Sequence, residues 1–151
     1  MNQAVDTWQI SNRINQYLIN AIPEEHFADQ AVSKGRTVGE QLAHIHNVRL
    51  MWLQASMPEL MSTVTKIEKD AISKTQLVEQ FDKSADAISK LLEKGLADGK
   101  IKGFKPHAQA FLGYLIAHEA HHRGQIVLSL KQSGHHLDKK ILFGLWEWGT
   151  K

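Results

Sequence analysis

One histidine-bearing segment constrains the fold of this chain more than any other. Residues 115–130 read L-I-A-H-E-A-H-H-R-G-Q-I-V-L-S-L. Neighbouring residues of an α-helix differ by about 100° around its axis, so His118 and His122, four positions apart, fall on one face. That face also carries Leu115 and Leu130, residues of the kind that a helix in a bundle buries. The segment therefore predicts a buried amphipathic helix with two imidazoles on its apolar side.

Two imidazoles on a buried face each need a polar partner, because desolvating an unpaired polar group is costly. A divalent metal ion would satisfy both rings at once, and histidines at positions i and i+4 of a helix are a common ligand pair. The pattern therefore predicts a metal site that includes His118 and His122. The alternative is a pair of core histidines that are hydrogen-bonded to protein groups.

The spacing of apolar residues predicts four helices: residues 5–21, 38–56, 75–97 and 106–134. Thr37 is expected to cap the second helix, with Glu40 completing a capping box. Pro106 suits the first turn of the fourth helix, and Gly134 suits its end. The connection 57–74 is long enough to return the third helix to either end of the second, so a parallel pair is possible. We predict an all-α four-helix bundle.

The C-terminal tail is too apolar to be a loose extension. Within residues 135–151 it carries five large apolar side chains: Leu142, Phe143, Leu145, Trp146 and Trp148. We expect this tail to pack across the bundle or against a second subunit.

Composition excludes several classes of protein. The 151 residues include 18 Lys and Arg against 16 Asp and Glu, without the concentrated basic stripe of a nucleic-acid binder. No apolar run is long enough to cross a bilayer, and no secretory signal is recognisable. The absence of cysteine excludes a disulfide scaffold, a thiolate zinc site and a cysteine nucleophile. We expect one cytoplasmic domain, residues 1–151, with no nucleic-acid or membrane partner.

The same segment also matches H-E-x-x-H, the motif of a family of zinc proteases in which the glutamate is a general base. The extended forms do not fit, because the glycine and third histidine of metzincins would fall on Gln125 and Leu128. Glu119 could therefore act as a catalytic base or orient a ligand ring. It could equally form a salt bridge with Arg49 or another cation of the second helix. A metal-dependent hydrolase remains an alternative.

The second helix offers two candidates for a third metal ligand. His44 and His46 lie on opposite shoulders of its apolar face, and periodicity does not choose between them. The remaining histidines of interest lie in loops or near helix ends and are expected to have no special role: His26, His107, His135 and His136.

Taken together, E-Q-L-A-H-I-H-N-V-R-L-M-W-L in the second helix and H-E-A-H-H-R-G-Q-I in the fourth resemble the DinB-like, or YfiT-like, superfamily of metalloenzymes. The resemblance covers most of the chain, and H-x-x-x-H-R-G-Q is its most specific element. It implies an up-down-down-up bundle, often a homodimer, in which three histidines hold zinc or nickel. Matched residue by residue, these ligands fall on His44, His118 and His122. His46 is then expected to be hydrogen-bonded elsewhere.

The resemblance also implies a reaction. Some members of this superfamily are transferases or isomerases that activate a low-molecular-weight thiol, such as bacillithiol or mycothiol. The chain is therefore expected to be a metal-dependent, thiol-dependent S-transferase that acts on a small electrophile. The alternative from a different class is a non-catalytic, metal-binding, stress-responsive bundle.

Overall fold

The structure is a computed structural model that describes residues 2–151. Four long helices dominate it: α1 (Gln3–Ala21), α2 (Val38–Ser56), α3 (Lys74–Asp98) and α4 (Ala108–Gln132). A short helix, α5 (Lys139–Gly144), follows them, and 3-10 turns lie at Glu24–Ala28, Pro58–Thr63 and Trp148–Thr150. Residues 2–151 contain no β-strand. The prediction of an all-α four-helix bundle is confirmed.

Side-chain caps explain where the helices begin. The Thr37 hydroxyl accepts a hydrogen bond from the Glu40 amide at 3.2 Å, which caps α2 as the sequence predicts. The predicted start of α4 at Pro106 is wrong by two residues. His107 has an extended backbone, and its Nδ1 atom accepts a hydrogen bond from the Ala110 amide at 3.1 Å. Pro106 therefore lies before the cap and outside the first turn.

Two apolar clusters mark the two ends of the bundle and reveal the direction of each helix. The first cluster joins the beginnings of α1 and α4 to the ends of α2 and α3, for example through Trp8, Phe111, Leu53 and Leu92. The second cluster joins the ends of α1 and α4 to the beginnings of α2 and α3, for example through Leu18, Ile126, Val38 and Leu77. Helices α2 and α3 therefore run parallel to each other and antiparallel to α1 and α4. This is the up-down-down-up course.

A buried polar layer centred on Arg49 separates the two clusters. The Arg49 guanidinium lies 4.8 Å from the ring centroids of both Trp8, in the first cluster, and Phe81, in the second. Its Nε and Nη2 atoms donate to Glu119 Oε1 at 2.8 and 2.5 Å. Its Nη1 atom donates to Asn12 Oδ1 at 3.0 Å. The exposed fraction of the Arg49 and Glu119 side chains is 1% each, so this ion pair is shielded from water.

The long connection between α2 and α3 is held against the bundle by side-chain bonds to its backbone. Asn47 donates to the Ile67 carbonyl at 2.9 Å and accepts from the Ile67 amide at 3.0 Å. His46 Nε2 lies 2.8 Å from the Thr65 carbonyl. These contacts let the chain return along the bundle before α3 begins.

The tail packs across α1, one of the two arrangements expected from its sequence. Gly144 lies against the Tyr17 ring, which would have to move if Gly144 carried a Cβ atom. The Lys151 ammonium lies 4.5 Å from the Tyr17 ring centroid, and Arg13 donates to the Lys151 carbonyl at 3.2 Å. Two aromatic side chains of the tail nevertheless remain exposed, Phe143 at 68% and Trp146 at 81%.

Within residues 2–151, no helix combines the length and the apolarity that are needed to cross a membrane.

The buried ion pair leads to a stability prediction. Glu119→Gln leaves the Arg49 charge without a carboxylate partner in a buried site, and we expect a loss of about 3–5 kcal/mol in the free energy of unfolding. Glu79→Gln is the matched control, because its pairing with Lys83 lies on the surface of α3, with side-chain exposures of 57% and 48%. That control should lose less than about 1 kcal/mol. Urea denaturation followed by circular dichroism measures both, and equal losses would contradict the prediction.

Candidate metal centre

Helices α2 and α4 pack antiparallel and bring three histidines together. His44 on α2 faces His118 and His122 on α4, with ring centroids 5.4 and 4.7 Å away. The two α4 rings lie 4.6 Å apart. The three rings are tilted by 58–70° relative to one another. One nitrogen of each ring lies within 4.8 Å of the others, so the three donors surround a common point.

The hydrogen bonds of these rings fit a metal site. The His118 Nδ1 atom is buried and has no hydrogen-bond partner among the described residues. The His122 Nδ1 atom lies 2.5 Å from Gln41 Oε1. Since an amide oxygen only accepts, Nδ1 of His122 carries the proton and Nε2 keeps its lone pair. A carbonyl bonded to the second ring nitrogen is the usual support of a metal-bound histidine.

Burial keeps these imidazoles neutral near pH 7. Burial, with the neighbouring His118 and His44 rings, lowers the pKa of His122 to about 3. Burial, followed by Arg36 and His118, lowers the pKa of His44. Burial, followed by His121 and Arg36, lowers the pKa of His118. Neutral imidazole is the form that binds a metal ion, so the electrostatics and the geometry agree.

A charged groove of about 220 Å³ opens beside His44. Its lining includes three cationic and two anionic side chains: Arg36, Lys66, Lys69, Glu40 and Glu68. The Lys69 Nζ atom lies 3.4 Å from Glu40 Oε2, and the Lys66 Nζ atom lies 3.8 Å from Glu68 Oε2. The groove therefore has room for a small molecule only. Its lining carries more positive than negative side chains.

An aromatic group lies on the other side of the centre. The Tyr114 ring stacks on His118, with centroids 6.2 Å apart and planes 19° apart. Tyr114 also contacts Trp52 and Phe104, with centroids 5.6 and 5.4 Å away. These rings connect the histidines to the first apolar cluster and limit the rotation of His118.

The two candidate histidines of the second helix lie in different surroundings, and only His44 lies beside His118 and His122. His46 is fully buried, its Nδ1 atom lies 3.0 Å from Ser84 Oγ, and its Nε2 atom lies 2.8 Å from the Thr65 carbonyl. Both ring nitrogens are therefore used away from His118 and His122. His46 is therefore hydrogen-bonded elsewhere, within the core.

Three other polar residues of α4 lie outside the three-histidine group: Glu119, His121 and Arg123. Glu119 forms the buried ion pair with Arg49, which is the alternative to a catalytic role. His121 is exposed, and its Nε2 atom lies 3.1 Å from the Gln125 amide nitrogen. Arg123 donates to Asn15 Oδ1 at 2.7 Å. None of the three residues belongs to the group formed by His44, His118 and His122.

Sequence reasoning missed Gln41 and Tyr114, the two residues that support the histidine rings. Gln41 lies three positions before His44, so helical spacing places both on neighbouring parts of one face. Tyr114 lies four positions before His118 in the same way. The spacing was a usable signal, but glutamine and tyrosine are common in helices, and only the packed structure shows what they contact.

Comparisons with known proteins agree with this architecture. The model of the DinB family matches residues 1–139. A crystal structure described as a DinB family member from Exiguobacterium sibiricum 255-15 is similar, with a TM-score of 0.65 and 22% sequence identity. The alignment covers 92% of this chain and 95% of that one, which supports a shared fold. No curated protein matches the sequence.

Proposed function

Because the chain belongs to the DinB family, we propose that His44, His118 and His122 hold a divalent metal ion, zinc or nickel. The observation that carries this proposal is the convergence of three ring nitrogens, within 4.8 Å of one another, from two helices. The unpartnered His118 Nδ1 atom and the bond between His122 and Gln41 support it.

Three neutral imidazoles are the donor set of a catalytic zinc site, whereas structural zinc sites use four protein ligands. When bound, the ion supplies Lewis acidity that lowers the pKa of a thiol or water. The residues of the chain have separate tasks. Gln41 fixes the His122 ring in the tautomer that presents Nε2, and Tyr114 restrains His118 by stacking.

We further propose a thiol-dependent S-transferase that acts on a small electrophile. The thiol loses its proton to solvent water, its sulfur forms a bond to an electrophilic carbon, and the leaving group departs with the electron pair of the broken bond. The family resemblance supports the thiol, and the groove beside His44 supports a small, anionic co-substrate. Arg36 and Lys66 in the lining would attract carboxylates of a low-molecular-weight thiol.

A hydrolase of the H-E-x-x-H type receives no support from the geometry. Such an enzyme needs its glutamate free to take a proton from water. Both carboxylate oxygens of Glu119 accept hydrogen bonds from Arg49, at 2.5 and 3.1 Å from its Nη2 atom. A carboxylate in that environment is held by its cation and shielded from water.

The first test is metal content. Protein purified without a histidine tag should contain at least one tightly bound equivalent of zinc or nickel, and His44→Ala, His118→Ala and His122→Ala should each contain one equivalent less. His46→Ala and His121→Ala are the matched controls and should retain the wild-type metal content, because neither ring belongs to the group. Elemental analysis by mass spectrometry after dialysis provides the measurement. Retention by His118→Ala, or loss by His121→Ala, would contradict the ligand assignment.

The second test is turnover. Metal-loaded wild-type protein should accelerate the conjugation of bacillithiol or mycothiol with 1-chloro-2,4-dinitrobenzene, followed by the absorbance of the product. His122→Ala should lose at least about 100-fold in kcat/KM, since the metal supplies most of the activation. His121→Ala should keep the wild-type rate. Full metal occupancy without turnover by any thiol would favour the non-catalytic, metal-binding alternative.

The homodimer implied by the family resemblance is also a proposal. The exposed side chains of Phe143 and Trp146 in the tail support it, because a contact with a second copy would shield them from water. The double variant Phe143→Ser/Trp146→Ser should shift sedimentation equilibrium towards the monomer. Val32→Ser, at a side chain that is 74% exposed in the connection between α1 and α2, should leave the mass unchanged. A wild-type protein that remains monomeric at every concentration would contradict the proposal.

A further inference from the structure

A second cluster of histidine and carboxylate groups lies where the α1–α2 connection meets the end of α4. The rings of His26 and His135 stack with centroids 3.6 Å apart and planes only 4° apart. The His135 Nδ1 atom lies 2.6 Å from Asp29 Oδ2. One ligand atom of each of the three residues lies within 4.8 Å of the other two. Sequence reasoning assigned no role to either histidine.

The backbone around this cluster is well fixed. Asp29 closes the 3-10 turn Glu24–Ala28, with its amide donating to the His26 carbonyl at 3.0 Å. Its own carbonyl accepts from the Val38 amide at 2.9 Å, at the start of α2. On the other side, Gly134 has a φ of +82°, a left-handed conformation that glycine adopts without strain. This turn lets the His135 amide donate to the Leu130 carbonyl at 2.9 Å.

The two sides of the cluster are also joined directly. The Gln30 amide donates to Ser133 Oγ at 3.4 Å, and the same hydroxyl donates to the Gln30 carbonyl at 3.2 Å. The Val32 amide donates to Gln132 Oε1 at 2.8 Å. Residues 100 or more positions apart in the sequence are therefore held in contact before any ligand is considered.

From this geometry we propose that His26, Asp29 and His135 form a second binding site for a divalent transition-metal ion. Two imidazoles and a carboxylate form a donor set that zinc and nickel accept. The Asp29 side chain is only 10% exposed, so its charge is partly shielded from water and strengthens attraction for a cation. The His26 and His135 side chains are 22% and 40% exposed, which leaves a path for the ion.

Because the His26 and His135 rings are stacked, binding of a metal ion must change their relative orientation. The lone pair of an imidazole nitrogen lies in the plane of the ring, and parallel rings direct their lone pairs along parallel planes. One ion cannot lie in both planes, so the rings must tilt apart into a wedge that opens towards Asp29. Binding through His135 Nδ1 also replaces the hydrogen bond to Asp29 Oδ2, and the neutral ring then carries its proton on Nε2.

The role of such a site would be structural. Its ligands come from the α1–α2 connection and from the turn that follows α4, so one ion would hold together two segments that are distant in the sequence. It shares no residue with the His44, His118 and His122 group. The proposal therefore does not depend on the reaction proposed above, and the two sites can be tested separately.

The experiment is a zinc titration of metal-free, untagged protein, with isothermal calorimetry and elemental analysis as readouts. Wild type should bind two equivalents. His135→Gln and Asp29→Asn should each bind one, whereas His136→Gln, the matched control at the neighbouring histidine, should still bind two. His118→Ala should bind one equivalent, and His118→Ala/His135→Gln should bind none. Circular dichroism spectra of each variant check that the bundle is folded.

The outcomes separate the two sites. A single wild-type equivalent that His118→Ala removes would overturn the second site and leave the first. A single equivalent that His135→Gln removes and His118→Ala keeps would support the second site and contradict the first. Two equivalents retained by His135→Gln would also overturn the second site.

Nuclear magnetic resonance provides a readout that concerns this cluster alone. In the His118→Ala background, zinc should move the ring proton resonances of both His26 and His135 as the stack opens and their mutual ring-current shifts are lost. Zinc should also raise the thermal unfolding midpoint of this background, and His135→Gln should abolish that rise. Unchanged resonances at saturating zinc would overturn the proposal.

Discussion

The ion pair between Arg49 and Glu119 holds the bundle in register. It joins the two helices that carry the candidate metal ligands, and the further bonds of Arg49 reach Asn12 on α1 and Ser84 on α3. All four long helices therefore meet at one guanidinium group. An ion pair without water is stable only when its hydrogen bonds are made, so a slip of any helix would leave a buried charge unpaired. The polar layer thereby opposes alternative packings that two apolar clusters alone would tolerate.

The same polar layer explains how the three histidines can keep fixed relative positions although few residues support them directly. Glu119 follows His118 directly, and Arg49 lies little more than one turn beyond His44 on α2. Fixing Arg49 against Glu119 therefore fixes the height of His44 against the two imidazoles of α4. Gln41 adds a local restraint at His122. The core and the candidate metal centre are thus parts of one arrangement, and the stability of the first determines the geometry of the second.

Much of this could be predicted from the sequence. Helical periodicity found the four helices, because each buries a regular apolar stripe, and Thr37 identified the start of α2. The family resemblance pointed to His44, which lies with His118 and His122 in the structure, whereas spacing alone could not separate it from His46. The pairing of Glu119 with Arg49 was one of the alternatives that the sequence offered, but the burial of Arg49 at the centre of the bundle was not predictable, since an arginine in a helix usually faces solvent. The contact between Asp29 and His135 was not predictable either, because it joins residues 106 positions apart and depends on how two loops meet.

The division of the interior into two apolar clusters has a consequence for redesign. Residues in different clusters, such as Leu92 and Leu18, share no packing partners within either group. Substitutions at such sites usually have additive effects on stability. One half of the interior could therefore be rebuilt, to open a cavity or admit a larger guest, while the other half continues to anchor the helices. A single guanidinium group, that of Arg49, marks the boundary between the two halves.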